Sequence, residues 1–182
     1  MHAAYTNIMT EPSLRANNLL GALSLAVVDG VDAVTADFAG FGSASPAALV
    51  TLFNSPGLTI SALARIVGLT HPGTVRLVDR LAGAGLLRRG AGDDGREVRL
   101  TLTTKGRSTA AKVLDGRQAL LDKAMSALSK AESETFERLA SKLVAALSPD
   151  PDTADHTCRL CDDRVCPTVT CPVEQAVAAQ RP

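Results

Sequence analysis

The chain has 182 residues, with 19 Lys and Arg balanced by 19 Asp and Glu, and only 3% of its residues are aromatic. A length of this order makes one domain with a substantial core and room for an appendage. The zero formal charge excludes a basic coat over the whole surface, and the scarcity of aromatics points to helices packed through Ala, Leu and Val.

In chain order, residues 1–13 are expected to form a flexible N-terminus. The apolar run LLGALSLAVV after Arg15 resembles the hydrophobic region of a secretory signal, but Asp29, Asp32 and Asp37 follow while the helical pattern carries on. The run is also too short for a membrane span, which takes about 20 apolar residues. A cytoplasmic protein with no membrane partner is therefore expected, in which cysteines serve as thiols or metal ligands rather than structural disulfides. Leu20, Leu23, Val27, Val31, Val34 and Phe38 recur every three or four residues, drawing one apolar stripe along a long helix that serves as core or subunit interface.

GFGSASP ends that helix, and Ser45 with Pro46 starts a short one, AALVTLF. After the turn NSPG, Thr59 is placed to cap ISALARIV, and Gly68 closes it. Thr70 then caps a second short helix, THPGTVRLVDRL, whose Pro72 is harmless in the first turn. Gly73 is unexpected there, because glycine costs about 1 kcal/mol relative to alanine within a helix. Two short helices joined by a glycine-containing turn form a helix-turn-helix, whose second helix usually enters the major groove of DNA.

Beyond AGAGLL the period changes to alternation: LLRR, the loop GAGDDG, then REVRLTL, with Val98, Leu100 and Leu102 on one face. Such a hairpin after a helix-turn-helix makes a winged helix. Thr103 caps a further helix through Val113, Leu120, Leu121 and Met125. Ser129 and Glu132 have capping-box spacing ahead of a last helix with Phe136, Leu139, Leu143, Val144 and Leu147 on one side, stopped by SPDPD. The fold class is mainly α with a small β-wing. Long terminal helices so rich in aliphatics exceed what a small winged helix covers, and pairing with a second copy is the economical solution.

The stretches LARIVGLTHPGTVRLVDRLAGAGLLRR, DDGREVRLTLT and LTTKG, in that order and spacing, resemble the MarR family of bacterial transcriptional regulators. The similarity spans about residues 14–147, with the DNA-binding core at about 46–106. It implies a homodimer with interleaved terminal helices, one winged helix per half of a near-palindromic operator, a repressor as the commonest role, and a small-molecule effector. The charges agree: between Arg65 and Arg107 nine Lys and Arg stand against four acids, leaving the remainder of the chain five negative.

Thr70, His71, Gly73, Thr74 and Arg76 occupy the first turns of the second helix, where side chains reach base edges. Arg76 is the candidate for direct readout, because guanidinium matches guanine O6 and N7 bidentately. Arg80, one turn on, is assigned to the backbone. Arg96 at the wing tip would enter the minor groove, drawn by its negative potential. Asp94 resembles its positioning partner in the family pattern. Arg88, Arg89 and Arg99 are phosphate contacts or solvated strand residues. Val75, Leu77, Val78 and Leu81 are core by spacing.

Residues 148–182 read as a Pro/Asp linker and a tail holding every cysteine. Cys158, Cys161, Cys166 and Cys171 are spaced like a zinc knuckle with Cys in place of its His, so four thiolates on a short loop are candidates to close around Zn²⁺, with His156 as a substitute. An iron–sulfur cluster and reversible disulfides are open alternatives. The tail would then be the effector site of a metal or redox sensor. An enzyme is not expected: the histidines are His2, His71 and His156, and no phosphate loop or nucleophile–base pair occurs. The rival binding reading is a winged helix used for protein contacts only.

Overall fold

A computed structural model describes residues 11–36, 44–92 and 97–179. Phe38, and Asp94 and Arg96 at the wing tip, lie outside the described residues. The elements are α1 (Glu11–Val34), α2 (Ser45–Asn54), β1 (Leu58–Thr59), α3 (Ile60–Val67), α4 (His71–Gly83), β2 (Leu87–Ala91), β3 (Val98–Leu102), α5 (Thr104–Met125), α6 (Lys130–Ala146), α7 (Pro151–Cys158) and α8 (Pro172–Ala178).

The sheet is antiparallel in the order β1-β3-β2, with Leu58 opposite Leu100 and Leu87 opposite Leu102. The sequence pattern predicts only the hairpin. β1 is a third strand that two residues are too short to announce by alternation, and it exists because the edge of β3 needs a partner for its backbone groups. Leu100 and Leu102 turn into the core, while Val98, on the same face, is 42% exposed because the wing outruns the helices beneath it.

One core joins α2, α3, α4, the sheet and the start of α5 through Leu49, Leu52, Leu63, Leu77, Val78 and Leu100. Each of these is almost fully buried, and a buried leucine stabilises by about 1.5–3 kcal/mol. Val75 is only half-buried, unlike its neighbours Leu77 and Val78. The LTTKG stretch has a local cause. The Thr103 hydroxyl accepts from the Gly106 N–H at 3.0 Å and donates to the Gly85 carbonyl at 2.7 Å, so the start of α5 is tied to the turn that follows α4. Gly106 lies directly on the Leu86 carbonyl, where a Cβ would overlap it.

α1 ends at Val34. Its Leu14–Val34 segment is long and apolar enough to cross a membrane by length and composition alone, contrary to the expectation from the ten-residue run, because the helix extends well beyond that run on both sides. It instead packs on α5, with Val31 buried and Gly30 against Leu120, while Leu20 and Leu23 stay exposed. The capping box at α6 is present: Glu132 accepts from the Ser129 N–H at 2.8 Å. No residue of α6 is buried, and Phe136, Leu139, Leu143 and Leu147 face solvent.

The segment after α6 is structured. Asp150 caps α7 by accepting from the Thr153 N–H at 2.9 Å, so the prolines and aspartates expected as a linker instead start a helix. α7 packs on α3, and α8 packs on α6 around Ala154, Cys171, Val173 and Val177.

Candidate nucleic-acid interface

The helix-turn-helix is built from caps. The Thr59 hydroxyl accepts from the Ala62 N–H at 3.1 Å to start α3. Gly68, with φ 69°, ends it in the left-handed conformation that favours glycine. Thr70 starts α4 by accepting from the Gly73 N–H at 3.2 Å. A Cβ at Gly73 would stand 3.1 Å from that same Thr70 oxygen, so the glycine keeps the cap uncrowded. This supplies a cause for Gly73 that does not involve DNA.

Core side chains anchor one face of α4 through Leu77, Val78 and Leu81. The opposite face presents Pro72, Arg76, Asp79, Arg80 and Gly83 to solvent, with Asp79 and Arg80 side by side and the others three or four residues from them or from each other. His71 and Thr70 are exposed at its start, and the His71 Nδ1 lies 3.4 Å from the Ser61 hydroxyl of α3. Thr74 corrects the sequence reading. It is fully buried and its hydroxyl donates to the Thr70 carbonyl at 3.1 Å, so it braces the first turn from inside and does not face a groove.

The basic residues divide into two groups. Arg76 and Arg88 are exposed and have no hydrogen-bond or ion-pair partner among the described residues. Arg80 and five others are already engaged within the chain. Arg89 on β2 pairs with Asp79 on α4 at 2.7 Å, which sets the wing against the exposed side of the helix. Arg99 pairs with Glu97 at 2.8 Å and donates to the Gly57 carbonyl at 3.2 Å. Lys105 donates to the Ala84 carbonyl just past α4 at 3.0 Å. Arg107 stacks over Phe53 with its guanidinium 4.9 Å from the ring centre, and Arg65 pairs with Asp152 at 3.2 Å. The positive face available to phosphate is thus narrower than the count along the chain suggests. Sequence reading missed Asp79 as the wing's anchor, since ten residues and a strand-helix boundary separate it from Arg89.

The tail brings its four cysteines to one place. Cys158, Cys161, Cys166 and Cys171 are free thiols lining a single pocket of about 160 Å³, between α2, the end of α7 and the loop before α8. Cys158 shares its thiol hydrogen with Cys161, which brings Cys161 down to about 7 and drives Cys158 well up. Burial, then Cys171 alongside, pushes Cys166 up to about 11. The Arg164 side chain holds the Asp162 carboxyl below its usual range, whereas burial raises Asp163. No three His, Cys, Asp or Glu side chains among the described residues already stand as ligands around one point. His156 is not with the thiols: its Nδ1 is 2.8 Å from the Ile66 carbonyl, and its ring packs against Gly68.

Residues 40–97 match the family model of the MarR family. No curated protein sequence matches the chain. Among solved structures, a MarR family protein from Bacillus stearothermophilus superposes with a TM-score of 0.66 at 26% identity, covering 75% of this chain and 96% of that one. A MarR family transcriptional regulator from Silicibacter pomeroyi gives 0.60 at 24% identity over 78% of this chain and 97% of that one. RV2887, a MarR family protein of Mycobacterium tuberculosis in complex with p-aminosalicylic acid, gives 0.56 at 26% identity over 70% and 96%. By its helix-turn-helix segment, residues 40–97, and by its fold, the chain is similar to MarR family proteins, transcriptional regulators among them.

Proposed function

We propose that the protein acts in the cytoplasm as a homodimeric repressor. It binds a near-palindromic operator with one α4 helix in each of two major grooves, about 34 Å apart. The observation that carries this reading is the exposed face of α4, with Arg76 unpaired among the described residues and the wing held beside it by Arg89 and Asp79. Pairing of two copies is supported by α6, which has no buried residue, and by the exposed leucines of α1. Apolar surface on that scale is what a subunit interface removes from water.

The effector is a small molecule seated between α1, α2 and the α3–α4 turn. A cavity of about 320 Å³ lies there, with Val28, Val31, Val67 and Leu69 as apolar walls and Asp32, Thr35, His156 and Arg159 as polar ones. That volume is at the lower end of small-molecule sites, and an arginine beside an apolar floor suits an aromatic acid. RV2887 in its complex with p-aminosalicylic acid supports that class of ligand. An effector filling this crevice acts by favouring dimers with another α4 separation.

The test is the affinity for duplex DNA as a function of salt. Phosphate contacts release counterions, so log K falls linearly with log salt at about 0.9 per phosphate neutralised. A steep fall supports the reading, and an absent or salt-independent affinity assigns the winged helix to protein contacts instead.

A further inference from the structure

We propose that Cys158, Cys161, Cys166 and Cys171 bind one Zn²⁺ ion, and that the ion fastens the C-terminal segment to the back of the helix-turn-helix. Successive backbone turns carry the four thiols to the same pocket. The Cys161 N–H donates to the Cys158 carbonyl at 2.8 Å, the Cys166 N–H to the Asp162 carbonyl at 2.9 Å, and the Cys171 N–H to the Pro167 carbonyl at 3.0 Å. Packing alone does not require this gathering. The neighbouring cluster of Ala154, Val173 and Val177 takes only Cys171 as a fully buried member, with Cys158 and Cys166 partly buried against it.

The donor set selects the ion. Four sulfurs line the pocket with no histidine, beside the carboxylates of Asp155, Asp163 and Glu174, and a four-sulfur set favours tetrahedral Zn²⁺ at about 2.3 Å from each sulfur over the hard cations, which prefer oxygen. His156, the other candidate ligand, is engaged with the Ile66 carbonyl. Binding forms four sulfur–zinc bonds and releases the four thiol protons, with no change of oxidation state. The site then carries two negative charges, and Arg117 is the cation whose field already reaches Cys161 and Asp162. No three of these thiols already stand as a ligand set among the described residues, so binding rearranges the loop between Cys161 and Cys171. That loop lies open to solvent, with Val165 76% and Val169 80% exposed.

The residues flanking the thiols hold the reading head. The Asn54 side-chain amide of α2 donates to the Cys161 carbonyl at 2.9 Å and to Asp163 at 3.1 Å. His156 holds the last turn of α3 through Ile66, and Asp152 holds Arg65. α3 runs directly into the turn that aims α4. Loading the thiols therefore alters how firmly α2 and α3 are gripped, and this consequence, unlike the site itself, rests on the DNA-binding reading.

The experiment uses the full chain, purified without oxygen and kept reduced. Elemental analysis is expected to return one zinc per chain. Co²⁺ in its place is expected to give the sulfur-to-metal charge-transfer and tetrahedral ligand-field absorption of a four-thiolate site. Cys166→Ser, at one of the three half-buried positions, is expected to weaken Co²⁺ at least tenfold while leaving the far-UV circular dichroism unchanged. Zinc removal is expected to change duplex affinity at least threefold. Absence of the cobalt spectrum in the folded wild-type chain overturns the site, and iron with acid-labile sulfide overturns zinc in favour of a cluster. Stoichiometric zinc with equal duplex affinity in both states overturns the fastening role. Stoichiometric zinc with no duplex affinity in either state leaves the metal site standing and overturns the DNA-binding reading instead.

Discussion

Arg76→Ala separates sequence readout from general attraction to phosphate. Arg76 lies in the second turn of α4, exposed and with no intramolecular partner among the described residues, so its removal is expected to cost the fold less than about 0.5 kcal/mol. A bidentate arginine–guanine contact discriminates by about 1–3 kcal/mol. A two-fold dimer makes each contact twice, so the operator complex is expected to lose about 2–6 kcal/mol, at least about thirtyfold in affinity. The operator is first recovered by selection from random duplexes, and anisotropy titrations then compare wild type, Arg76→Ala and Arg89→Ala on operator and on unrelated DNA. Arg76→Ala is expected to bind unrelated duplex nearly as before and to lose base preference at one position of each half-site. Arg89→Ala is expected to weaken both duplexes alike, since its guanidinium belongs to the wing's edge and leaves Asp79 unneutralised on the same face. An Arg76→Ala titration that overlays wild type on the operator would refute the assignment, as would equal loss on both duplexes.

Three further outcomes are expected. Thr74→Ala removes a buried hydroxyl and its bond to the Thr70 carbonyl, and should lower urea stability by about 1–2 kcal/mol while the folded protein keeps its base preference; unaltered stability with altered preference would return Thr74 to the groove. Leu143→Glu puts a charge on the exposed apolar side of α6 and should convert dimer to monomer in sedimentation velocity, and a persisting dimer would move the interface elsewhere. Glu132 has its carboxyl lowered by the Ser129 hydroxyl and N–H, so its contribution is present above the ordinary value of 4.5 and fades as pH falls through the lower folded value. Wild type and Glu132→Ala should accordingly differ in Tm at pH 7 and converge in acid; a gap that stays constant with pH would show that the carboxylate charge is not what caps α6.

Much of the reading head was legible because its signals are local. Thr59, Thr70, Thr103, Ser129 and Gly68 each act on residues within one turn, and a three- or four-residue periodicity separates Leu77, Val78 and Leu81 from Arg76 on the same helix. The same logic failed at Thr74, where position in the first turn suggested a groove contact, but the side of the helix on which it falls is inward. Positive charge was legible as a count only, since Asp79, Asp152 and Phe53 engage arginines far from them along the chain.

The sequence by itself determined where α3, α4, α5 and α6 start, that a hairpin follows α4, and that the cysteines form one group, because caps, periodicity and spacing depend on neighbours a few residues away. Tertiary structure alone decided that Leu58 and Thr59 join the sheet, that Arg89 meets Asp79, and that the last segment lies on α2 and α3 through Asn54, Ile66 and His156. Those contacts join residues tens of positions apart, and their geometry follows from how the helices pack around a shared core rather than from any local preference.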